Sequence, residues 1–168
     1  MNYKDINLHI IKCLFDKYDP IVRAQEVDEN NILLIPSPAY YGYIIPRKKL
    51  YVSEGVLSML DKEKPLFKVS EYCKPGNEIR PTNQFVEFGG EYCRRFENPE
   101  KRGAVYLKEK FLKEVHRGDE FNVRYYQNVQ PGEDMGRKSV LVVTVEKDKD
   151  GNETYTPKLF VMPVDINR

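Results

Sequence analysis

Tryptophan is absent, histidine occurs twice and cysteine three times in 168 residues, and each scarcity removes a class of function. Cys13, Cys73 and Cys93 contain no C-x-x-C pair, so they predict neither a disulfide framework nor a zinc cage. His9 and His116 are the only imidazoles, and no H-E-x-x-H, phosphate loop or G-x-S-x-G is present. General-base, metal-assisted and acyl-transfer chemistry therefore lack their usual residues, and the sequence predicts a non-enzymatic protein with no cofactor and no metal. No window approaches the roughly 18 apolar residues of a membrane span. The opening MNYKDINLHI has no basic-then-apolar leader. Both point to a cytoplasmic protein with no membrane partner.

A charge surplus is missing too. The 27 basic and 26 acidic side chains leave a net charge of +1, with 12 against 11 in residues 1–84 and 15 against 15 in residues 85–168. Neither half is a polybasic arm, so any grip on nucleic acid would have to come from a local face.

What is present is a chain rich in Ile, Val and Tyr, 40% hydrophobic and 12% aromatic, of a length that suits one domain over 1–168. Residues 5–17 place Ile6, Ile10 and Leu14 one turn apart and predict an amphipathic helix. The segments 21–27, 31–37 and 40–46 predict three antiparallel strands. Residues 53–103 read as an irregular connection, with a short helix at 53–61, loops at 74–84 and 96–103, and one glycine-bulged strand at 85–96. Leu107, Phe111 and Val115 predict a second helix over 105–120, followed by strands at 121–127, 139–146 and 155–164. The last two strands are joined by an Asp-Gly hairpin in KDKDGNE. In the closing strand Tyr155, Pro157, Leu159, Val161 and Pro163 should point one way, with Phe160, Met162 and Val164 the other.

A helix followed by three strands thus occurs twice, in 5–52 and in 104–166. The expected fold is an α+β domain with pseudo-twofold symmetry. This order resembles one domain of the bacterial sliding clamp, the beta subunit of DNA polymerase III. The resemblance rests on Tyr106-Leu107 near the start of the second helix and on Met162-Pro163-Val164 near the end; Asp165 and Ile166 stand where the family has arginine and leucine. It covers 104–166 by residues and 5–52 by element order alone, and the chain has length for only one of the family's three domains.

The resemblance implies a DNA-clamp-like fold, association with duplex DNA or the replication machinery, and possible homo-oligomers. Met162, Pro163 and Val164 would then line a pocket for short apolar peptides of a protein partner. Lys110, Lys113 and Arg117 form a basic stripe on the second helix that could meet phosphates without regard to sequence; an ordinary solvated face accounts for the same residues. The alternative is a protein-interaction module that uses its apolar C-terminal strand and has no nucleic-acid role. The tyrosine groups in AYYGY (39–43) and RYYQ (124–127), beside Arg47 and Arg124, could stack unpaired bases or could simply be strand formers.

Overall fold

The computed structural model describes residues 1–61, 63, 68–100, 103–116, 122–130 and 132–166. The chain divides into two compact units, one of residues 2–68 and one of residues 69–168 together with Met1.

In residues 2–68, helix α1 (Tyr3–Leu14) starts at Asn2, whose side chain accepts from the Lys4 and Asp5 amides and satisfies two otherwise orphaned donors. The helix buries Ile6, Asn7 and Ile10 and packs against strands β1 (Val22–Glu26) and β2 (Asn31–Pro36). β2 also pairs with β3 (Tyr41–Pro46), and both pairings are antiparallel. The first turn is fixed by Asp28, which accepts from the amides of Asn30 and Asn31 at 2.8 Å each, an Asx turn of the kind short Asp side chains favour. Ile32 through Ile35 are all buried, so β2 is covered on both faces. Gly42 makes this packing possible: a Cβ there would lie 2.8 Å from Leu33 Cδ1. The expected short helix at 53–61 is instead a 3-10 turn at Glu54–Val56 followed by β4 (Ser58–Met59), which runs parallel to β1.

Residues 69–166 carry six strands and one short helix among the described residues. The strands are β5 (Glu78–Phe88), β6 (Glu91–Glu97), β7 (Ala104–Lys108), β8 (Val123–Tyr126), β9 (Val140–Lys147) and β10 (Glu153–Val161), and helix α2 is Glu109–His116. They lie in the order β10-β9-β8-β5-β6-β7, every neighbouring pair antiparallel. Beyond β10 the chain reaches back to the free side of β7, where the Val164 amide donates to the Tyr106 carbonyl at 2.8 Å. α2 contributes Leu112 and Val115 to the core and packs against β6, β7 and β10.

This overturns the expected repeat. Among the described residues the second unit is not a helix followed by three strands, so the expected pseudo-twofold, DNA-clamp-like pair of such motifs does not form. The expected loop at 74–84 contains the first half of β5, which hides because only Ile79 of its early residues is fully buried, so no alternation shows in the sequence. The expected glycine bulge is a turn: Gly89 and Gly90 take φ of +61° and +76° and join β5 to β6 as a hairpin. The expected long helix at 105–120 begins as strand β7, with Val105 and Leu107 buried on one face, and turns helical only at Glu109. The apparent helical spacing of Leu107, Phe111 and Val115 therefore straddles two element types.

The closing strand departs from simple alternation as well. Lys158 is bulged out between Pro157, opposite Val143, and Leu159, opposite Val142. The bulge accommodates a proline that cannot donate to the ladder and reverses the faces beyond it; Leu159, Phe160 and Val161 are then buried in succession, so the strand is covered on both faces there. Among the described residues, no helix is long and apolar enough to cross a membrane.

Candidate functional site

The residues singled out from the sequence do not converge. Lys110 is engaged by the Glu91 carboxylate, which also takes Lys108 Nζ at 2.6 Å. These two lysines hold Glu91 below the usual carboxylate range. Lys113 is exposed, and Arg117 lies outside the described residues. Met162, Pro163 and Val164 are half-buried, with Val164 held to Tyr106 through the backbone. Of the tyrosine groups, Tyr41 and Tyr43 pack edge to face beside His9. Tyr125 is buried against Phe96, its ring 4.7 Å from the phenyl ring.

Arg124 and Tyr126 do meet a cavity. It measures about 290 Å³ and lies over β5, β8 and β10 within residues 69–166, where Glu78, Arg80, Arg124, Tyr126 and Tyr155 line it. Its rim is made by two loops, Cys73–Gly76 and Asn98–Glu100. The first is a turn closed by the Asn77 amide donating to the Lys74 carbonyl at 3.1 Å, with Pro75 and Gly76 at its centre. Gly76 takes φ of +78°, as the third residue of a type II turn requires. Asn98 Nδ2 donates to the Gly76 carbonyl at 2.8 Å and so clasps the two loops together. A side chain at Gly76 would also strike the Glu100 carboxylate, 2.7 Å from an added Cβ.

The cavity wall is held by charge. Arg124 donates to both oxygens of Glu153, at 2.8 and 2.7 Å, in the forked geometry that guanidinium and carboxylate share. Tyr155 donates its hydroxyl to the same carboxylate at 2.7 Å, and Lys147 stands 3.3 Å from it. The Arg124 bonds, followed by that of Tyr155, hold Glu153 down to about 2. In return, Glu153 raises both Arg124 and the Tyr155 phenol above their ordinary values. The ring centroids of Tyr126 and Tyr155 lie 6.0 Å apart, edge to face. Burial pushes the Cys73 thiol up to about 11, so this lining cysteine is protonated at neutral pH and is no activated nucleophile. Among the described residues, no group of three metal-ligating side chains occurs.

The arrangement offers fixed donors, fixed acceptors and aromatic surface in one recess. Sequence reasoning reached Arg124 and Tyr126 through their aromatic-basic grouping. It missed Glu153 and Tyr155 because they belong to another strand, and it missed the rim although Lys74-Pro75-Gly76-Asn77 carries the signal of a type II turn. No protein family, curated protein or solved structure matches the chain.

Proposed function

We propose that the protein is a non-catalytic binding protein and that the cavity beside Arg124 takes a small polar ligand carrying hydrogen-bond donors and acceptors together. The observation that carries the reading is the Arg124–Glu153–Tyr155 clamp, which fixes a cation and an aromatic ring at the wall of a preformed recess. Such pre-ordering lowers the entropy lost when a ligand is bound. The recess is close to charge balance: Lys74, Arg80 and Arg124 face Glu78 and Glu100, with Glu153 directly behind Arg124. A ligand of mixed polarity, zwitterionic or polyhydroxylated, suits that balance better than a bare anion, and the Tyr155 ring offers its apolar face.

The same balance favours a small molecule over duplex DNA. Residues 69–168 hold 17 basic and 17 acidic side chains, which gives no long-range attraction to phosphates, and Lys110 is already neutralised by Glu91.

The test is amide NMR of the labelled protein titrated with pools of amino acids, sugars and nucleotides. Shifts confined to residues 73–80, 98–100, 124–126 and 153–155, weakened at least tenfold by Lys74→Glu, are expected. Absence of such shifts with every pool would remove the reading. Salt-sensitive binding of random duplex DNA, lost on Lys113→Glu, would put the DNA-associated reading in its place.

A further inference from the structure

The recess beside Arg124 does not end at that side chain. A second, more open hollow of about 510 Å³ is lined by Asn122, Arg124, Val145, Glu146 and Lys147, so one guanidinium borders both. The strand register shows how the two are related. Arg124 lies opposite Val143 and Val143 opposite Pro157, while Val145 lies opposite Tyr155 and Lys147 opposite Glu153. Cross-strand partners share a face, and so do residues two apart on one strand. Arg124 and Tyr126 of β8, Glu153 and Tyr155 of β10 and the alternate β9 residues from Val143 to Lys147 therefore stand on one face.

Two diagonals cross β9 on that face. The Tyr126–Tyr155 ring pair spans Val143, and the Arg124–Glu153 ion pair spans Val145. Both valines are buried, at 0% and 5% exposure, and form a floor under the two rungs. The ion-pair rung marks the boundary between the cavity rimmed by Cys73–Gly76 and the hollow beside Lys147.

The chemistry is alike on both sides of that boundary. The first hollow sets Lys74, Arg80 and Arg124 against Glu78, Glu100 and Glu153; the second sets Arg124 and Lys147 against Glu146 and Glu153. Neither draws a ligand by net charge. Both offer donors beside acceptors, a pattern that hydroxyl groups answer because each can donate and accept. Glu153 takes only part of the N–H fork of Arg124, which leaves donors at the boundary. Tyr155 is 36% exposed and its hydroxyl is committed to Glu153, so it presents its ring, a surface for the C–H face of a sugar. Size points the same way. The first hollow alone is near the roughly 300 Å³ at which pockets take drug-sized ligands, and a single amino acid would leave most of the combined space empty.

We propose that the ligand is a neutral oligosaccharide of two or more rings, lying across Arg124 from the cavity at Cys73–Gly76 into the hollow beside Lys147. This rests on the reading of the cavity as a ligand site and names the class of molecule it takes.

The test is amide NMR of the labelled full chain titrated with neutral glucans, mannans and N-acetylchitosaccharides of one, two and four rings, with amino acids, nucleotides and a mixed tetrapeptide pool alongside. At least one saccharide series should bind, shifting residues 73–80, 98–100 and 124–126 together with Asn122 and 145–147. Its affinity should rise at least tenfold from one ring to four, and the shifts at 145–147 should require two rings or more. Binding of amino acids, nucleotides or peptides at the cavity with no response to any saccharide would overturn the oligosaccharide while leaving a ligand site in place. So would saccharide shifts confined to the first hollow with an affinity independent of ring number. Silence with every probe would remove the ligand site itself, and the oligosaccharide with it.

Discussion

Residues 2–68 and residues 69–166 each tie an irregular segment to a regular element through one buried carboxamide, and they differ in how completely it is used. In the first, Asn7 of α1 donates through Nδ2 to the carbonyls of Tyr3 and Lys49, at 2.7 and 2.8 Å, and accepts from the Tyr51 amide at 2.7 Å. In the second, Gln127, which follows β8, donates through Nε2 to the carbonyls of Met135 and Lys138, at 2.7 and 2.6 Å. Its Oε1 is buried with no hydrogen-bond partner among the described residues. The lesson concerns loops. A chain leaving regular structure must find partners for its peptide groups, and one amide side chain can cover a whole connection. Asn7 does so with both halves of its amide satisfied, whereas Gln127 does so at the cost of a desolvated oxygen.

The largest expected effect comes from removing the closed case. Asn7→Leu keeps the side chain's size but strands the Lys49 carbonyl and the Tyr51 amide, and should cost about 3 kcal/mol in a urea unfolding experiment. A loss under about 1 kcal/mol would mean that water replaces both bonds without difficulty and that the carboxamide is incidental. Gln127→Met should cost less, about 1–2 kcal/mol. It strands two carbonyls, which have a second lone pair and tolerate this better than an amide, and it also removes the unpaired Oε1. An equal or larger loss at Gln127 would erase the distinction between the two regions.

The two regions also differ in how far the sequence discloses them. In residues 2–68, β2 is marked by the unbroken apolar run Ile32–Ile35 between Asn31 and Pro36, β1 and β3 by strand-forming residues on either side of it, and α1 carries Ile6 and Ile10 one turn apart with Asn2 to cap it. Local signal and tertiary outcome agree there through β3, and part only at 53–61, where a 3-10 turn and β4 stand in place of the expected helix. In residues 69–166 they part company at β5 and β7. Between Ile79 and Phe85, β5 is largely exposed and contains Pro81, so nothing apolar recurs there with a period of two. β7 runs into α2 without an intervening turn, and five strand residues plus eight helical ones imitate one long helix. The likeness to a clamp leaned on that helix, with Tyr106-Leu107 near its start; both residues lie in β7. The candidate site was legible only on one strand. Arg124 and Tyr126 stand together in the sequence, while Glu153, which fixes Arg124, lies 29 residues away, and no local pattern announces a partner at that separation.

The finest comparison is between the two histidines, each of which lies on the single α-helix described in its unit and meets the hydroxyl of a strand tyrosine: His9 with Tyr41, and His116 with Tyr125. At His9, burial and then the Lys12 charge lower the imidazole pKa below 6.5, while burial pushes the Tyr41 phenol up to about 12, so both groups are neutral in the fold at pH 7. The sign of the effect on stability follows. Above about pH 6.5 the imidazole is neutral in folded and unfolded chains alike, and its contribution to stability is complete. As pH falls from there through the lower folded-state value, the unfolded chain takes up the proton first and the contribution is lost. The urea midpoint should therefore drop between pH 7.5 and pH 5.5, and His9→Gln, which cannot titrate, should show a smaller drop over the same interval. This is the smallest of the three effects, because His9 is only partly buried and solvent shares in stabilising its charge. An equal drop in the parent and in His9→Gln would place the sensitivity elsewhere and leave the His9–Tyr41 contact without a role in pH dependence.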